Sequence, residues 1–293
     1  LTKKFDRFDP EQDGVTVESD EMRKAYERLS PSVRKTLDKM ARRIEEFHRL
    51  QLERSAVLFN DAGAQISLMV TPVSKAGIYA PGGKAAYPST VLMNGIPASV
   101  AGVEEIYAAV PAPKGVIQDE ILAACHLAGV KRLFKVGGAQ AIAAFAFGTE
   151  TIPRVDVIVG PGNQFVTEAK KQLFGLVGID MLAGPSELVV LADESAEPRL
   201  VAYDLISQAE HGEDAFVALV TDSRSLAEAV VREVKSIIET EKRREILEKA
   251  MGNAFAFVSK TIEKAAFVVN ELAPEHLSIQ LREPVKYLSL IKS

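Results

Sequence analysis

Apolar positions in this chain fall into short runs, and the stretches between those runs carry apolar residues at helical spacing. The runs Glu105–Val110 and Arg132–Val136 predict strands, with helices over Ile117–Ala128 and Gln140–Phe147. The alternation continues with strands at Val155–Val159, Leu188–Ala192 and Phe216–Thr221, and with helices at Gln164–Leu173, Pro198–Glu210 and Ser225–Glu239. Alternating strands and helices join through right-handed crossovers into mostly parallel sheets, so the pattern predicts an α/β protein. Upstream, Glu21–Arg54 is charged and helix-favouring. Within it, Ser30-Pro31 supplies an N-cap and a first-turn proline that divide a helical arm in two.

Two glycine–proline clusters punctuate the alternation, Tyr79-Ala80-Pro81-Gly82-Gly83 and Gly184-Pro185-Ser186. The roughly one hundred residues between them have their own strand–helix order, enough for a domain. The expected organisation is an outer domain, 1–78 plus 187–293, with a second domain, 79–186, inserted in it. Each is expected to be doubly wound and Rossmann-like.

Hydrophobic residues make up 47% of the 293, ample for packed cores, and the net charge is −5. That balance offers no footprint for nucleic acid, and the densest basic run, Lys242-Arg243-Arg244, sits among glutamates as a solvated helix face does. No apolar run reaches the roughly 18 residues of a membrane helix. A single cysteine, Cys125, excludes an internal disulfide and fits the cytoplasm. The chain opens on Leu1, not Met, so a preceding segment stays open.

Candidate chemistry sits in short polar islands. Three glycine turns, Pro81-Gly82-Gly83, Gly137-Gly138-Ala139-Gln140 and Gly160-Pro161-Gly162-Asn163, follow predicted strands or open helices. Backbone amides there can approach a phosphate, although plain strand-to-helix loops use the same residues and none of the three fits the dinucleotide pattern G-x-G-x-x-G. Gln208 and His211 are spaced i, i+3, on one helix face with Gly212 placed to end the helix, so they can share a metal ion. The alternative is that His211 merely caps the helix, and a zinc site needs further ligands in any case. Glu275-His276 sets a carboxylate beside an imidazole, the pair that proton transfer needs, and a surface loop is its other explanation. Cys125 lies mid-helix with nothing nearby to activate a thiolate.

Taken together and in order, these clusters resemble the histidinol dehydrogenase family. The residues that carry the resemblance are Gly77–Gly83, Val136–Gln140, Gly160–Lys170, Asp180–Glu187, Ser207–Gly212 and Pro274-Glu275-His276-Leu277. The resemblance implies an aldehyde-dehydrogenase-like fold and a homodimeric, zinc-dependent enzyme. Its reaction would be the oxidation of L-histidinol to L-histidine through the aldehyde with two NAD, the last steps of histidine biosynthesis. It further implies that Gln208 and His211 bind zinc, that Ser186 and His276 contact substrate together with the zinc pair, and that Tyr79, Gln140 and Asn163 line the NAD site. Glu275 is then the base that activates water for the second oxidation, and His276 takes the alcohol proton in the first.

Family members extend beyond this chain at both ends, and two further zinc ligands, an aspartate and a histidine, are expected in the C-terminal part, after Ser293. The expectation is therefore a fragment or a portion of a longer protein. Ala273 departs from the family, which usually has glycine there. Two other readings stay open: a different NAD-linked amino-alcohol dehydrogenase, and an inactive fragment that keeps only the scaffold.

Overall fold

In the computed structural model the described residues are all but Leu1, 83–86, Ala183, Pro185, Lys242 and Ser293. Gly83, Pro185 and Lys242 of the sequence clusters therefore lie outside the described residues. The chain divides into two units, Leu1–Ala183 and Gly184–Ser293.

The first unit opens with two short helical turns, α1 (Thr2–Phe5) and α2 (Pro10–Asp13), then β1 (Thr16–Glu18) and the arm helices α3 (Ser19–Arg28) and α4 (Pro31–Arg49). Ser30 caps α4 by accepting from the Val33 N–H at 3.4 Å, and proline fills the first turn, as the sequence predicts. A hairpin of β2 (Ala56–Phe59) and β3 (Gln65–Leu68) follows. The sheet and its helices then run β4 (Lys75–Tyr79), α5 (Pro88–Val100), β5 (Glu105–Ala109), α6 (Asp119–Leu127), β6 (Arg132–Phe134), α7 (Ala139–Phe147), β7 (Val157–Val159), α8 (Gln164–Leu173) and β8 (Gly178–Ile179). Strand order is β1-β6-β5-β4-β7-β8, parallel except for β1 against β6. Helices α5 and α6 cover one face around Ile78, Leu92 and Leu133, while α7 and α8 cover the other around Phe134, Phe145 and Val166.

Residues 1–78 were expected in an outer domain with 187–293, and the structure corrects this. Met22 and Ala25 of α3, its C-cap Leu29 and Leu37 of α4 are buried in one core with Leu92 and Ile96 of α5 and Leu122 and Cys125 of α6. Strand β1 extends the same sheet, and β4 lies inside it. The arm's few apolar positions thus complete the α5–α6 layer, and the units follow one another along the chain with no insertion.

The second unit runs β9 (Glu187–Ala192), α9 (Pro198–Ala209), β10 (Phe216–Thr221), α10 (Arg224–Thr240), α11 (Arg244–Met251), β11 (Phe255–Val258), α12 (Ile262–Leu272), β12 (His276–Gln280) and α13 (Pro284–Tyr287). Its four strands are all parallel in the order β11-β10-β9-β12. Leu188, Val190, Val217 and Leu219 pack under α9, α10 and α11, and Val189, Leu191, Ala218 and Val220 pack against α12. Both units are therefore α/β sheets with helices on both faces. Their central strands are nearly unbroken apolar runs because both faces are covered.

Candidate active site

In the first unit, strand order reverses between β4 and β7, and their carboxyl ends are Tyr79 and Val159-Gly160. Open parallel sheets bind ligands at such a reversal. Gly160 sits at φ +109, and a Cβ there would lie 2.1 Å from the Tyr79 carbonyl oxygen, so only glycine lets the two strand ends meet. Asn163 caps α8, its side chain accepting from the N–H groups of Phe165 at 3.1 Å and Val166 at 3.2 Å. The buried Tyr79 hydroxyl accepts from the Gly138 N–H at 3.0 Å. A Cβ on Gly138 would lie 3.1 Å from Oε1 of Gln140, so the Gln140 amide is folded over the same turn. Burial pushes the Tyr79 phenol above its ordinary range, against the opposing pull of the Gly138 N–H. Tyr79, Gln140 and Asn163 thus lie along one sheet edge, with Asn163 exposed and Gln140 half-buried.

The glycines also have packing reasons of their own. A Cβ at Gly137 would lie 2.4 Å from Pro111 Cγ, and one at Gly162 would lie 2.2 Å from Val166 Cγ1. Loop geometry alone accounts for these residues. What it does not account for is that they share the carboxyl edge of one sheet, where the Gly138 N–H of the β6 turn reaches the Tyr79 hydroxyl at the end of β4.

In the second unit the candidate residues collect at the opposite, amino edge. Ser186 and Glu187 lead into β9, and Glu275 and His276 lead into β12. Parallel pairing sets His276 beside Leu188, Ser278 beside Val190 and Gln280 beside Ala192, so these three β12 residues lie on the α9 side of the sheet. Asp204 of α9 accepts from Ser278 Oγ and from Gln280 Nε2, both at 2.8 Å. Helix α9 returns antiparallel to the strands. Gln208, one turn beyond Asp204, and His276, one alternate residue before Ser278, therefore lie at the same edge. Ser186 is tied in by its carbonyl, which accepts from the Phe216 N–H at 2.9 Å.

Helix α9 ends at Ala209 with Glu210 as a right-handed cap, and Gly212 is not among the residues with positive φ. The expectation that Gly212 ends the helix is corrected: the backbone leaves without a left-handed residue, and the His211 N–H bonds the Gln208 carbonyl at 3.1 Å. His211 Nδ1 lies 3.0 Å from the Ser207 carbonyl oxygen. A carbonyl only accepts, so Nδ1 carries a proton, and in the neutral tautomer that this contact selects Nε2 holds the lone pair. The imidazole thus caps the helix through Nδ1, the second of the two sequence alternatives, and Nε2 is the nitrogen a ligand could use.

Glu275 and His276 are both exposed, with His276 Nε2 3.8 Å from Glu275 Oε1, and Glu275 Oε2 accepts from the Glu187 N–H at 3.4 Å. Water can reach both groups. Cys125 is fully buried in the α5–α6 layer, where burial drives its thiol far up, and this rules it out as the nucleophile. Among the described residues no group of three His, Cys, Asp or Glu side chains is placed to hold a metal. Gln208 and His211 by themselves could offer an ion no more than two ligands.

Sequence reasoning missed the groups that hold these residues in place. Asp204, Ser278 and Gln280 are unremarkable singly. Lys170 and Asp180 stand at the ends of quoted motifs without a role, yet Lys170 follows the buried Val166 by one turn of α8, a spacing that points a lysine inward.

The profile of the histidinol dehydrogenase family matches residues 1–293. Histidinol dehydrogenase of Wolinella succinogenes is 48% identical over 291 residues, covering 99% of this chain and 67% of that protein. The Aquifex aeolicus enzyme of the same name is 49% identical over 293 residues, covering 100% and 68%. The crystal structure of histidinol dehydrogenase from Elizabethkingia anophelis superposes with a TM-score of 0.94 at 39% identity, covering all of this chain and 67% of that one. The chain thus spans about two thirds of the length of the relatives it matches. A methylmalonate-semialdehyde dehydrogenase from Oceanimonas doudoroffii, 11% identical with a TM-score of 0.54, covers 92% of this chain and 71% of its own, and shares the fold alone.

Proposed function

The chain belongs to the histidinol dehydrogenase family, oxidoreductases of histidine biosynthesis, and on that premise we propose that it takes part in the four-electron oxidation of L-histidinol to L-histidine, with zinc and two NAD. The observation that carries this is the register of β12 on α9. Through Asp204 it brings the Glu275–His276 pair and the Gln208–His211 pair to one exposed sheet edge.

NAD would lie at the β4–β7 reversal along Tyr79, Gln140 and Asn163. Zinc would take His211 Nε2 and the Gln208 amide oxygen as two of its ligands, which fits the protonated Nδ1 held by the Ser207 carbonyl. When bound, zinc orients the imidazole and amine of the substrate, and NAD accepts the hydride in each oxidation. The chain's own residues move the protons. His276 takes the hydroxyl proton as the alcohol becomes an aldehyde, because hydride leaves carbon only as oxygen loses its proton. Glu275, open to water, removes a proton from the molecule that adds to the aldehyde, so the second oxidation needs no thiol. Ser186, at the head of β9, contacts the substrate beside them.

The active assembly is a homodimer in this proposal. The hairpin places Ala56, Leu58, Ile66 and Leu68 on one face, and Leu58, Ile66 and Leu68 are each more than 60% exposed. A two-stranded hairpin is marginal alone and gains from a second copy against that face. No helix among the described residues is long and apolar enough to cross a membrane. The lone buried cysteine fits a cytoplasmic setting, and the acidic balance argues against nucleic acid as a partner.

NADH formed per L-histidinol consumed, measured with zinc in excess, tests the reaction. The expected ratio is two, with His276→Ala slowing the first oxidation and Glu275→Gln causing the aldehyde to accumulate. A parent ratio of one, or parental kinetics in both variants, overturns the assignment.

A further inference from the structure

Lys170 is 3% exposed, and lysine is rarely buried without a task. Its ammonium donates to the Gly160 carbonyl at 2.5 Å and to Asp180 Oδ1 at 2.7 Å, and Asp180 Oδ2 accepts from the Gly160 N–H at 2.7 Å. Three bonds therefore close a ring around a single glycine, gripping its N–H and its carbonyl at once. Asp180 is itself held, its N–H bonding the Ile158 carbonyl of β7 at 3.3 Å. The glycine so gripped adopts φ +109 against the Tyr79 carbonyl, and three residues later Asn163 begins α8. Most buried ion pairs contribute little to stability compared with apolar residues of the same size, and their best-attested use is to fix one arrangement among several. Here the arrangement fixed is the turn that closes the β4–β7 reversal.

We infer that Lys170 and Asp180 are positioning residues for the dinucleotide: they touch no ligand, and they hold the Gly160–Asn163 turn and the start of α8 in the geometry that NAD binds. This assignment rests on reading that sheet edge as the NAD site. Without the ammonium, the Gly160 carbonyl and Asp180 lose their shared partner, and a glycine at that φ is free to flip its peptide. The binding surface would then be populated only part of the time, and apparent affinity falls by that fraction.

The test is NADH affinity by fluorescence titration of the chain, on variants shown to be folded by circular dichroism. Lys170→Met, which keeps the apolar stem, is expected to weaken NADH binding at least tenfold, and Lys170→Arg, which keeps charge and donors, to stay within about threefold of the parent. Asp180→Asn carries the same test should Lys170→Met not fold, because the amide still accepts from Gly160 while the ion pair is gone. A Lys170→Met or Asp180→Asn protein that melts earlier yet binds NADH within twofold of the parent shows a merely structural role and overturns the inference. Asn163→Ala separates the two levels. Weakened NADH binding there with unchanged binding in the lysine variant refutes the positioning role alone, whereas unchanged binding in Asn163→Ala refutes this edge as the NAD site.

Discussion

Ala273 is the one place where a residue beside the candidate site works against its own backbone. It ends α12 in the left-handed conformation, φ 44 and ψ 54, with its N–H on the Val269 carbonyl at 2.9 Å. The chain then passes through Pro274 into Glu275 and His276. A Cβ in that conformation crowds the following carbonyl and costs about 1–2 kcal/mol. Replacing Ala273 with glycine removes that cost, while the added freedom of glycine in the unfolded chain takes back about 0.4–1 kcal/mol. The net expectation is a gain of about 0.5–1 kcal/mol. For a cooperative unit of about a hundred residues this is a rise in melting temperature of about 2–8 °C. Urea unfolding should show a higher midpoint at an unchanged slope, since the surface exposed on unfolding is the same. Ala273→Val, a β-branched residue in the same conformation, should move the midpoint the other way. A midpoint for Ala273→Gly at or below the parent's, or the same direction of change in both variants, would refute the reasoning.

Asp204→Ala leaves the Ser278 hydroxyl and the Gln280 amide without their shared acceptor, and at about 1.5–3 kcal/mol for each bond to a charged group the loss should be about 2–4 kcal/mol after allowing for partial exposure. Asp204→Asn should recover roughly half of it in urea unfolding, and equal midpoints for the two variants would sink this account. Tyr79 has its folded pKa raised by burial, so its contribution is fully present below the ordinary value of 10 and is lost as pH rises through the raised value. Unfolding midpoints of Tyr79→Phe relative to the parent should therefore improve as pH climbs past 10, and a difference independent of pH contradicts the burial. Cys125, fully buried, should react with an aromatic disulfide reagent only after denaturant is added, and rapid labelling of the native chain would be the contrary result.

The elements of both sheets were legible in the sequence wherever apolar runs were bounded by glycine or polar residues. Gln164–Leu173 and Phe216–Thr221 match residue for residue, and most others differ by one or two positions at an end. Helix α5 carries Pro97 in its interior, so its pattern does not announce a helix. The assignment of the arm failed for a different reason. Its surface is charged, and the few residues that decide its place, Met22, Ala25, Leu29 and Leu37, find their partners more than fifty residues downstream in α5 and α6, which spacing within the arm cannot show. The glycine turns and the Glu-His pair stood out as candidates because their residue types are special. Asp204 and Lys170 did not, because what matters about each is the partner that tertiary packing supplies.

The two candidate edges differ in electrostatic sign as well as position, and the difference matches what each is proposed to hold. At the carboxyl edge of the first unit, α8 presents its amino end, where the positive end of the helix dipole favours an anion, with the Asn163 side chain accepting from the Phe165 and Val166 N–H groups. At the amino edge of the second unit, α9 presents its carboxyl end beside Gln208 and His211, where the negative end of the helix dipole favours a metal ion or a protonated amine. The carboxyl edge of the second unit, the usual place for a ligand in such a sheet, is a cavity of about 600 Å³ lined by Asp193, Glu194 and Asp222 as well as Arg224 and Arg282. Its carboxylates work against a pyrophosphate, and burial first, then the nearby Asp193 and Glu194, raise the pKa of Asp222. On the proposed reading the dinucleotide would take the first of these edges and the cationic substrate the second. Two similar sheets would then serve two ligands of opposite charge, each unit being used from the end where its helices carry the complementary sign.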